Sequence, residues 1–552
     1  MSRFVETLVE SARRNTGERA RGLVTGEPDE PLRRTWGELH DQALRMAGAL
    51  GDDLTPGTAV AILAADPGLI APAVQAVWLG GGSVTMLHQP TPRTDLGRWA
   101  EDTVRVLRMI DARLVLLGSP FEQLADVLAE NGVRYRMLAG LDAADAQPLA
   151  EPVPVDEDTT ALLQLTSGST AEPKAVRISH ANLYANAQAM VSAAELRPER
   201  DVVVSWLPLF HDMGMVGCLT VPMMAGIEAV KVTPADFLAR PLLWPELMSR
   251  YRGTVTAAPN FAYAVVGRRM ARAEDGAFDL SSVRFTLNGA EPIDAEAAEQ
   301  FVRAGARFGL REDCMVCAFG MAEATLAVSF SPLYQGVRTD VVDADELEQQ
   351  RRAVPVPEGT PRARKFALLG RPLAGIEVDV VDEAGNSLGD RQVGELRIRG
   401  EAVTTGYLTV NGPVPAQDSA GWLNTGDEGY LVDGQVVICG RRKDVIIMGG
   451  RNIYPVDIER AACSVPGVRP GNAAAVRLDA GSRRERFAVV LESKLAGDEE
   501  AEKDLRKQVT AQVVDAVGVR PSAVLVLKPG TLPKTPSGKL KRSASAALVP
   551  AE

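Results

Sequence analysis

Between about residues 36 and 330 the apolar positions repeat one arrangement: a short run rich in β-branched residues, a turn, then a longer stretch with apolar residues at helical spacing. The short runs include Ala59-Val-Ala-Ile-Leu63, Arg113-Leu-Val-Leu-Leu117, Leu162-Leu-Gln-Leu165, Val202-Val-Val-Ser-Trp206, Thr254-Val-Thr256 and Arg284-Phe-Thr-Leu287, and stretches such as 36–50 and 96–110 lie between them. This alternation predicts layered α/β units with largely parallel sheets. Ligands of such sheets lie beyond the carboxyl ends of the strands, so the loops that follow strands are where chemistry is expected.

Beyond about residue 331 the pattern changes. Residues 334–365 are charged, proline-bearing and weakly periodic, and two hairpin-like runs follow, Ile376-Glu-Val-Asp-Val-Val381 and Gly394-Glu-Leu-Arg-Ile-Arg399, around a turn at Glu383-Ala-Gly-Asn386. These predict a β-rich subdomain at about 331–438. After Val436-Val-Ile-Cys439 comes the basic cluster Arg441-Arg-Lys443, then a tail with its own strands at 472–478 and 486–492. Single cores stop growing at roughly 250–300 residues, so a chain of this length divides. The expected division is a large N-terminal unit, 1–440, a hinge at 441–443, and a small α+β lid, 444–552.

Composition narrows the function classes. With 46% hydrophobic and 24% charged residues the chain is of ordinary globular make-up, and its net charge of −12 argues against nucleic acid as a partner. The first residues alternate charges with apolar positions at helical spacing, and no apolar run approaches the ~18 residues of a membrane span, so a cytoplasmic protein is expected. Five cysteines make no disulfide framework, and the lone CxxC at Cys314 and Cys317, in a chain with four histidines, reads as packed core rather than a zinc site.

Leu165-Thr-Ser-Gly-Ser-Thr-Ala-Glu-Pro-Lys174 follows an apolar run and sets hydroxyl and glycine positions before a lysine, which suits backbone and side-chain donors around phosphate. The Walker A spacing is missing. Taken alone, the loop fits an ordinary Ser/Thr/Gly turn equally well. Further along come Cys317-Ala-Phe-Gly-Met-Ala-Glu323, Asn424-Thr-Gly-Asp427, Gly440-Arg-Arg-Lys-Asp444 with Gly450-Arg-Asn-Ile-Tyr-Pro455, and Thr535-Pro-Ser-Gly-Lys539. In this order they resemble the signatures of the acyl-adenylating superfamily, which contains acyl-CoA synthetases, peptide-synthetase adenylation domains and luciferases.

The resemblance implies ATP and Mg²⁺ as cofactors and a role for each motif. Thr166, Ser167, Gly168, Ser169, Thr170 and Lys174 would cradle the pyrophosphate portion of ATP, and Glu323 would hold Mg²⁺. Phe319 would stack on adenine, with the backbone of Asn288, Gly289, Ala290 and Glu291 along the base edge. Asp427 would accept both ribose hydroxyls, Arg441 would support the sugar, and Lys443 would be the hinge. Lys539 would reach the acyl carboxylate and α-phosphate in the transition state. His211 is a further catalytic candidate. Simpler roles compete with these: a helix cap for Glu323, core packing for Phe319, a solvated tail for Lys539 and a structural role for His211.

Trp206-Leu-Pro-Leu-Phe-His-Asp-Met-Gly214, Ala258-Pro-Asn-Phe-Ala-Tyr263, Asn288-Gly-Ala-Glu-Pro292 and Ala322-Glu-Ala-Thr-Leu326 resemble one branch in particular, the fatty acyl-AMP ligases, and residues 334–365 lie where those ligases carry an insertion that disfavours the CoA-using lid pose. Met448-Gly-Gly-Arg-Asn-Ile-Tyr-Pro455 reads equally like acyl-CoA ligases. The expected activity is conversion of a hydrophobic carboxylic acid to acyl-AMP with release of pyrophosphate, for transfer to a phosphopantetheinylated carrier protein. A two-step acyl-CoA synthetase and a silent nucleotide-binding regulator are the alternatives. Met213, Met215, Phe261 and Tyr263 are expected to line the acyl pocket. Ala171, Ala175 and Phe319 depart from the family pattern, which has glycine at the first two positions and tyrosine at the third.

Overall fold

The computed structural model describes residues 1–90, 94–143, 146–166, 172–448, 450–480, 485–535 and 539–550. Two large sheets form the body. The nine-stranded sheet runs in the order Arg371–Pro372, Ala327–Phe330, Met315–Gly320, Phe285–Asn288, Val255–Ala258, Val202–Ser205, Glu228–Lys231, Gly22–Thr25, Leu32–Thr35. The strands from Met315–Gly320 to Gly22–Thr25 pair in parallel. The eight-stranded sheet is mixed, with Thr160–Thr166 beside Ser83–Met86 in parallel and beside Lys174–Ser179 antiparallel. The α/β alternation of the sequence is thus present.

The helices between the strands follow local signals. Trp36–Leu50 starts with a reciprocal capping box between Thr35 and Glu38, and its buried positions recur at helical spacing. Pro67–Leu79 is buried on nearly every side, as expected of a helix wedged between layers. Its amphipathic counterpart Leu96–Met109 is capped by Asp95. Among the described residues no helix is long and apolar enough to cross a membrane. Cys314 and Cys317 are both buried, and burial pushes each thiol up to about 12, so the CxxC is core.

The expected hairpin of the β-rich segment forms, with Val381 opposite Glu395, inside a four-stranded antiparallel sheet completed by Leu423–Val432 and Gln435–Arg441. Residues after the turn Arg442–Asp444 build a hairpin, Ile446–Met448 with Arg451–Ile453, and a three-stranded sheet, Val468–Leu478, Arg486–Ser493 and Ala523–Leu527. Ile446, Ile458, Phe487, Leu491 and Val509 share a hydrophobic core made wholly from this C-terminal part. The weakly periodic stretch contains more order than its pattern suggests. Thr339–Asp343 pairs with Ala363–Ala367, and the helix Ala344–Gln350, capped by Asp343, lies between them. Short elements held by a cap and a two-stranded ladder leave little periodic signal.

Candidate active site

The two body sheets, the antiparallel sheet and the C-terminal part enclose one continuous cleft of about 3120 Å³. Carboxyl ends of parallel strands open onto it. Strands Val255–Ala258, Phe285–Asn288 and Met315–Gly320 are in register at Ala258, Asn288 and Cys317, so the turns after them converge there.

Thr166 ends its strand at the cleft, and its Oγ1 is buried with no partner among the described residues. Ser167, Gly168, Ser169 and Thr170 lie outside the described residues, as does Ala171. Lys174 begins the return strand directly opposite Thr166. Its Nζ donates to Glu323 Oε1 at 3.2 Å and sits 4.1 Å from the centre of the Tyr407 ring. The Tyr407 hydroxyl donates to the same Glu323 oxygen at 3.2 Å, and both the burial and this carboxylate raise the phenol. Tyr407 belongs to none of the sequence motifs, and its local signal is a Gly-aromatic pair, Gly406-Tyr407, at the start of a strand.

Glu323 lies in a three-residue 3₁₀ turn, Ala322–Ala324, and the apolar run after it forms the strand Ala327–Phe330. The helix-cap role therefore has no helix to serve. Among the described residues no group of three or more His, Cys, Asp or Glu side chains could hold a metal ion. Mg²⁺ at nucleotide sites rests on one or two carboxylates plus phosphate oxygens, so a single cleft carboxylate such as Glu323 fits that ion once phosphate is present.

Asp427 and Arg441 are register partners on adjacent strands, and Arg441 Nε lies 3.0 Å from Asp427 Oδ1. The other oxygen, Oδ2, is buried with no partner among the described residues. Burial, resisted by Arg441, pushes this carboxyl up to about 6. A buried acceptor left open beside the cleft calls for a donor from a ligand. Asn288 shows the same feature: Nδ2 donates to Asn260 Oδ1 at 3.0 Å, while Oδ1 is buried and unpartnered among the described residues. Ala290 takes a left-handed φ of 70°, turning the Gly289–Glu291 backbone along the cleft wall. Glu291 Oε1 accepts from Phe261 N at 2.6 Å, and burial raises the Glu291 carboxyl. Phe319, at a β-bulge, lines the cleft and is only partly buried.

His211 and Asp212 stand on the turn after Val202–Ser205, with His211 Nδ1 2.6 Å from Asp212 Oδ1. Burial raises the Asp212 carboxyl, but His211 first and Lys539 after it outweigh this and leave it below its ordinary value. Lys539 reaches the cleft from the C-terminal part. Its backbone is pinned to Thr535, whose N donates to Lys539 O at 2.8 Å and whose Oγ1 accepts from Lys539 N at 3.0 Å. Its charge acts on Asp212, Glu291 and Asp427, and all four residues line the one cleft. Arg542 braces the same loop. It donates to both oxygens of Glu459 at 2.7 and 2.8 Å and to Asp444, next to Lys443, at 2.9 Å.

The proposed acyl-pocket residues divide. Met213 and Phe261 line the cleft. Met215 and Tyr263 are instead fully buried in the two body cores, and the Tyr263 hydroxyl donates to Leu287 O at 2.7 Å. Both side chains point into the cores and not to the cleft, a choice between faces that the spacing of apolar residues in these short segments does not settle. Val203, Val255, Phe285, Leu287 and Leu326 add further apolar side chains to the cleft lining beside Met213 and Phe261, and this apolar lining is the cleft's apolar arm.

Comparison with known proteins agrees with this geometry. The AMP-binding enzyme family profile matches residues 9–408. The Mycobacterium tuberculosis protein Rv1013, described as a ligase, is 53% identical over the whole of both chains. The medium-chain fatty acid–[acyl-carrier-protein] ligase JamA of Moorena producens is 33% identical over 77% of this chain and 74% of its own, and the M. tuberculosis long-chain fatty acid–AMP ligase FadD28 is 31% identical over 74% and 72%. A solved structure from a study of fatty acyl-adenylate ligases of E. coli and L. pneumophila superposes with a TM-score of 0.88 at 30% identity, covering 99% of both chains. By sequence and by fold, this chain belongs to the family of AMP-binding, acyl-adenylate-forming enzymes.

Proposed function

We propose that the protein activates a hydrophobic carboxylic acid with ATP, forming acyl-AMP and pyrophosphate, and passes the acyl group to a phosphopantetheinylated carrier protein. One observation carries this reading: Lys539, from the C-terminal part, lines the same cleft as Asp212, Glu291 and Asp427, and that cleft has an apolar arm. Asp427, through its open Oδ2, takes the ribose, and Phe319 with the 289–291 backbone takes the base. Lys174 and the loop before it take the β- and γ-phosphates. The acid lies in the apolar arm with its carboxylate toward Lys539. A carboxylate oxygen attacks the α-phosphorus, the bond to the pyrophosphate oxygen breaks, and Lys539 stabilises the charge gathering on the α-phosphate. Mg²⁺, held by Glu323 and phosphate oxygens, would neutralise part of the phosphate charge.

The carrier-protein acceptor is supported by how residues 334–365 meet the C-terminal part. Glu348, almost fully buried, accepts from Arg451 Nε at 2.9 Å and from Arg362 Nη2 at 3.3 Å. Arg364 pairs with Asp457 at 2.7 Å and lies over the Tyr454 ring. These contacts favour the arrangement in which Lys539 faces the cleft, and a transition state for thiol transfer that needs a rotated C-terminal part, pivoting at Lys443 between 1–440 and 444–552, works against them. The names of JamA and FadD28, an acyl-carrier-protein ligase and a fatty acid–AMP ligase, agree with this.

ATP–pyrophosphate exchange with a panel of saturated fatty acids tests the first step. Absence of exchange with every acid overturns it. Mass analysis of products with CoA or a phosphopantetheinylated carrier tests the second, and acyl-CoA formed as fast as acyl-AMP makes the protein a two-step synthetase.

A further inference from the structure

Lys231 is 1% exposed, at the end of the strand Glu228–Lys231, in register with Ser205 on the neighbouring parallel strand. Burying an ammonium costs several kcal/mol unless its protons are well placed. No carboxylate among the described residues pairs with it, and the nearest titratable group acting on it is the Cys218 thiol. Burial brings its pKa down to about 8. Such a group persists where its donors do something an apolar residue cannot.

Its donors go to the turn that leaves the adjacent strand. Nζ donates to Leu207 O at 2.6 Å and to Ser205 Oγ at 3.1 Å, and that hydroxyl accepts from Leu207 N at 3.1 Å. Both backbone groups of Leu207 are thus fixed by buried side chains. From the other body sheet, Gln164 Nε2 donates to Phe210 O at 3.0 Å. Between these two anchors the chain packs without slack: a Cβ on Gly214 would fall 2.1 Å from Pro208 O and 3.1 Å from Leu207 O. Met215 N closes the π-helix Met213–Thr220 onto His211 O at 2.8 Å. Leu207 and His211 are thus joined by a short, closely packed turn, with His211 N donating to Pro208 O at 3.2 Å.

We propose that Lys231 is a positioning residue for acid activation: its ammonium holds the Leu207 end of the turn so that His211 and Asp212 are presented to the cleft where Lys539 and the acid meet. This rests on the function proposed above. Lys231 touches no substrate and acts only through the turn.

The test is a double-mutant cycle on the full-length chain, read by ATP–pyrophosphate exchange with whichever saturated fatty acid gives the fastest exchange. Misplacement of reacting groups by an ångström costs ~10²-fold in rate, so Lys231→Met is expected to lower the exchange kcat by ~10–100-fold while the KM for ATP changes less than ~2-fold. If Lys231 works through the turn, the same substitution in a His211→Ala background costs less than ~3-fold, because coupled residues do not lose activity independently. A purely structural lysine would lower the melting temperature and multiply its loss onto that of His211→Ala. Multiplying losses, an unchanged kcat in folded Lys231→Met, or an unchanged rate in His211→Ala each overturns the inference. Should Lys231→Met fail to fold, Ser205→Ala removes one acceptor and the bond from Leu207 N, and its expected ~3-fold loss must likewise disappear in the His211→Ala background. Parent enzyme without exchange activity overturns the proposed function itself, whereas normal parent exchange with multiplying losses overturns only the role of Lys231.

Discussion

The nucleotide side of the cleft and the lysine side are held by different physics. Asp427 and Arg441 sit opposite each other in an antiparallel ladder, and Lys174 faces Thr166 in another, so their positions are set by backbone hydrogen bonds inside sheets. Lys539 hangs on a loop tied to Thr535 and braced by Arg542, and its part of the chain docks on the body through Arg364–Asp457 and the Glu348–Arg451 contact. A ladder does not rearrange without unfolding, whereas side-chain ion pairs between two packed parts can separate with those parts, at a cost that rises with their burial. The half proposed to bind ATP is held by backbone ladders, and the half proposed to bring the reacting cation is attached by side-chain contacts.

The sharpest break in that contrast is Lys539→Ala, expected to lower the rate of acyl-adenylate formation by ~10²–10³-fold with the Kd for ATP nearly unchanged. Exchange kinetics beside nucleotide titration decide it, and an unaltered rate removes Lys539 from the mechanism.

Asp427→Asn attacks the rigid side. A hydrogen bond to a charged group contributes about 1.5–3 kcal/mol, so the KM for ATP should rise by at least ~10-fold. The pH dependence has a definite sign. Burial lifts the Asp427 carboxyl from 3.8 to about 6, so folding favours its protonated form. The cost of the buried carboxylate is fully present above about pH 6 and disappears as the pH falls below 3.8, where native and unfolded chains are both protonated. Asp427→Asn should therefore raise the melting temperature at pH 8 and lose that gain near pH 4. In the parent, kcat/KM for ATP should decline as pH falls through about 6.

Glu323→Gln keeps the shape of the side chain and removes its charge. The Mg²⁺ concentration for half-maximal exchange should rise by ~10-fold, since a hard cation prefers an anionic oxygen. Superimposable titrations would leave Glu323 as no more than the anchor of Lys174 and Tyr407.

The smallest effect is expected at the docking contacts. Releasing about 1.4 kcal/mol of bias shifts a two-state balance tenfold, so Glu348→Gln combined with Arg364→Met should raise acyl-CoA formation by up to ~10-fold while pyrophosphate exchange stays level. Shortening residues 334–359 should do the same. A parallel rise in both reactions would show that these contacts do not discriminate between lid positions.

Much of this was legible in the chain. Strands such as Ala59–Leu63 and Phe285–Asn288 and helices such as Trp36–Leu50 follow from local periodicity and caps, and described residues of the motifs at 165–174, 317–323, 424–427 and 535–539 do line one cleft. Less was legible inside 334–365, where strand and helix are too short for a periodic signal, and in the acyl arm, where Met215 and Tyr263 read as pocket residues but pack into cores.

Sequence by itself determined most of the elements outside 334–365, the family and which motifs to look for at the cleft, because those depend on neighbouring residues: spacing along one strand or helix and residue type within one motif. The tertiary structure alone decided which carboxylates line one cleft with Lys539, why Tyr407 belongs with Glu323, which oxygen of Asp427 is left open, and what a buried Lys231 can hold. Each of these is a contact between residues far apart in the chain, settled by strand register and by burial, and neither leaves a local trace in the order of residues.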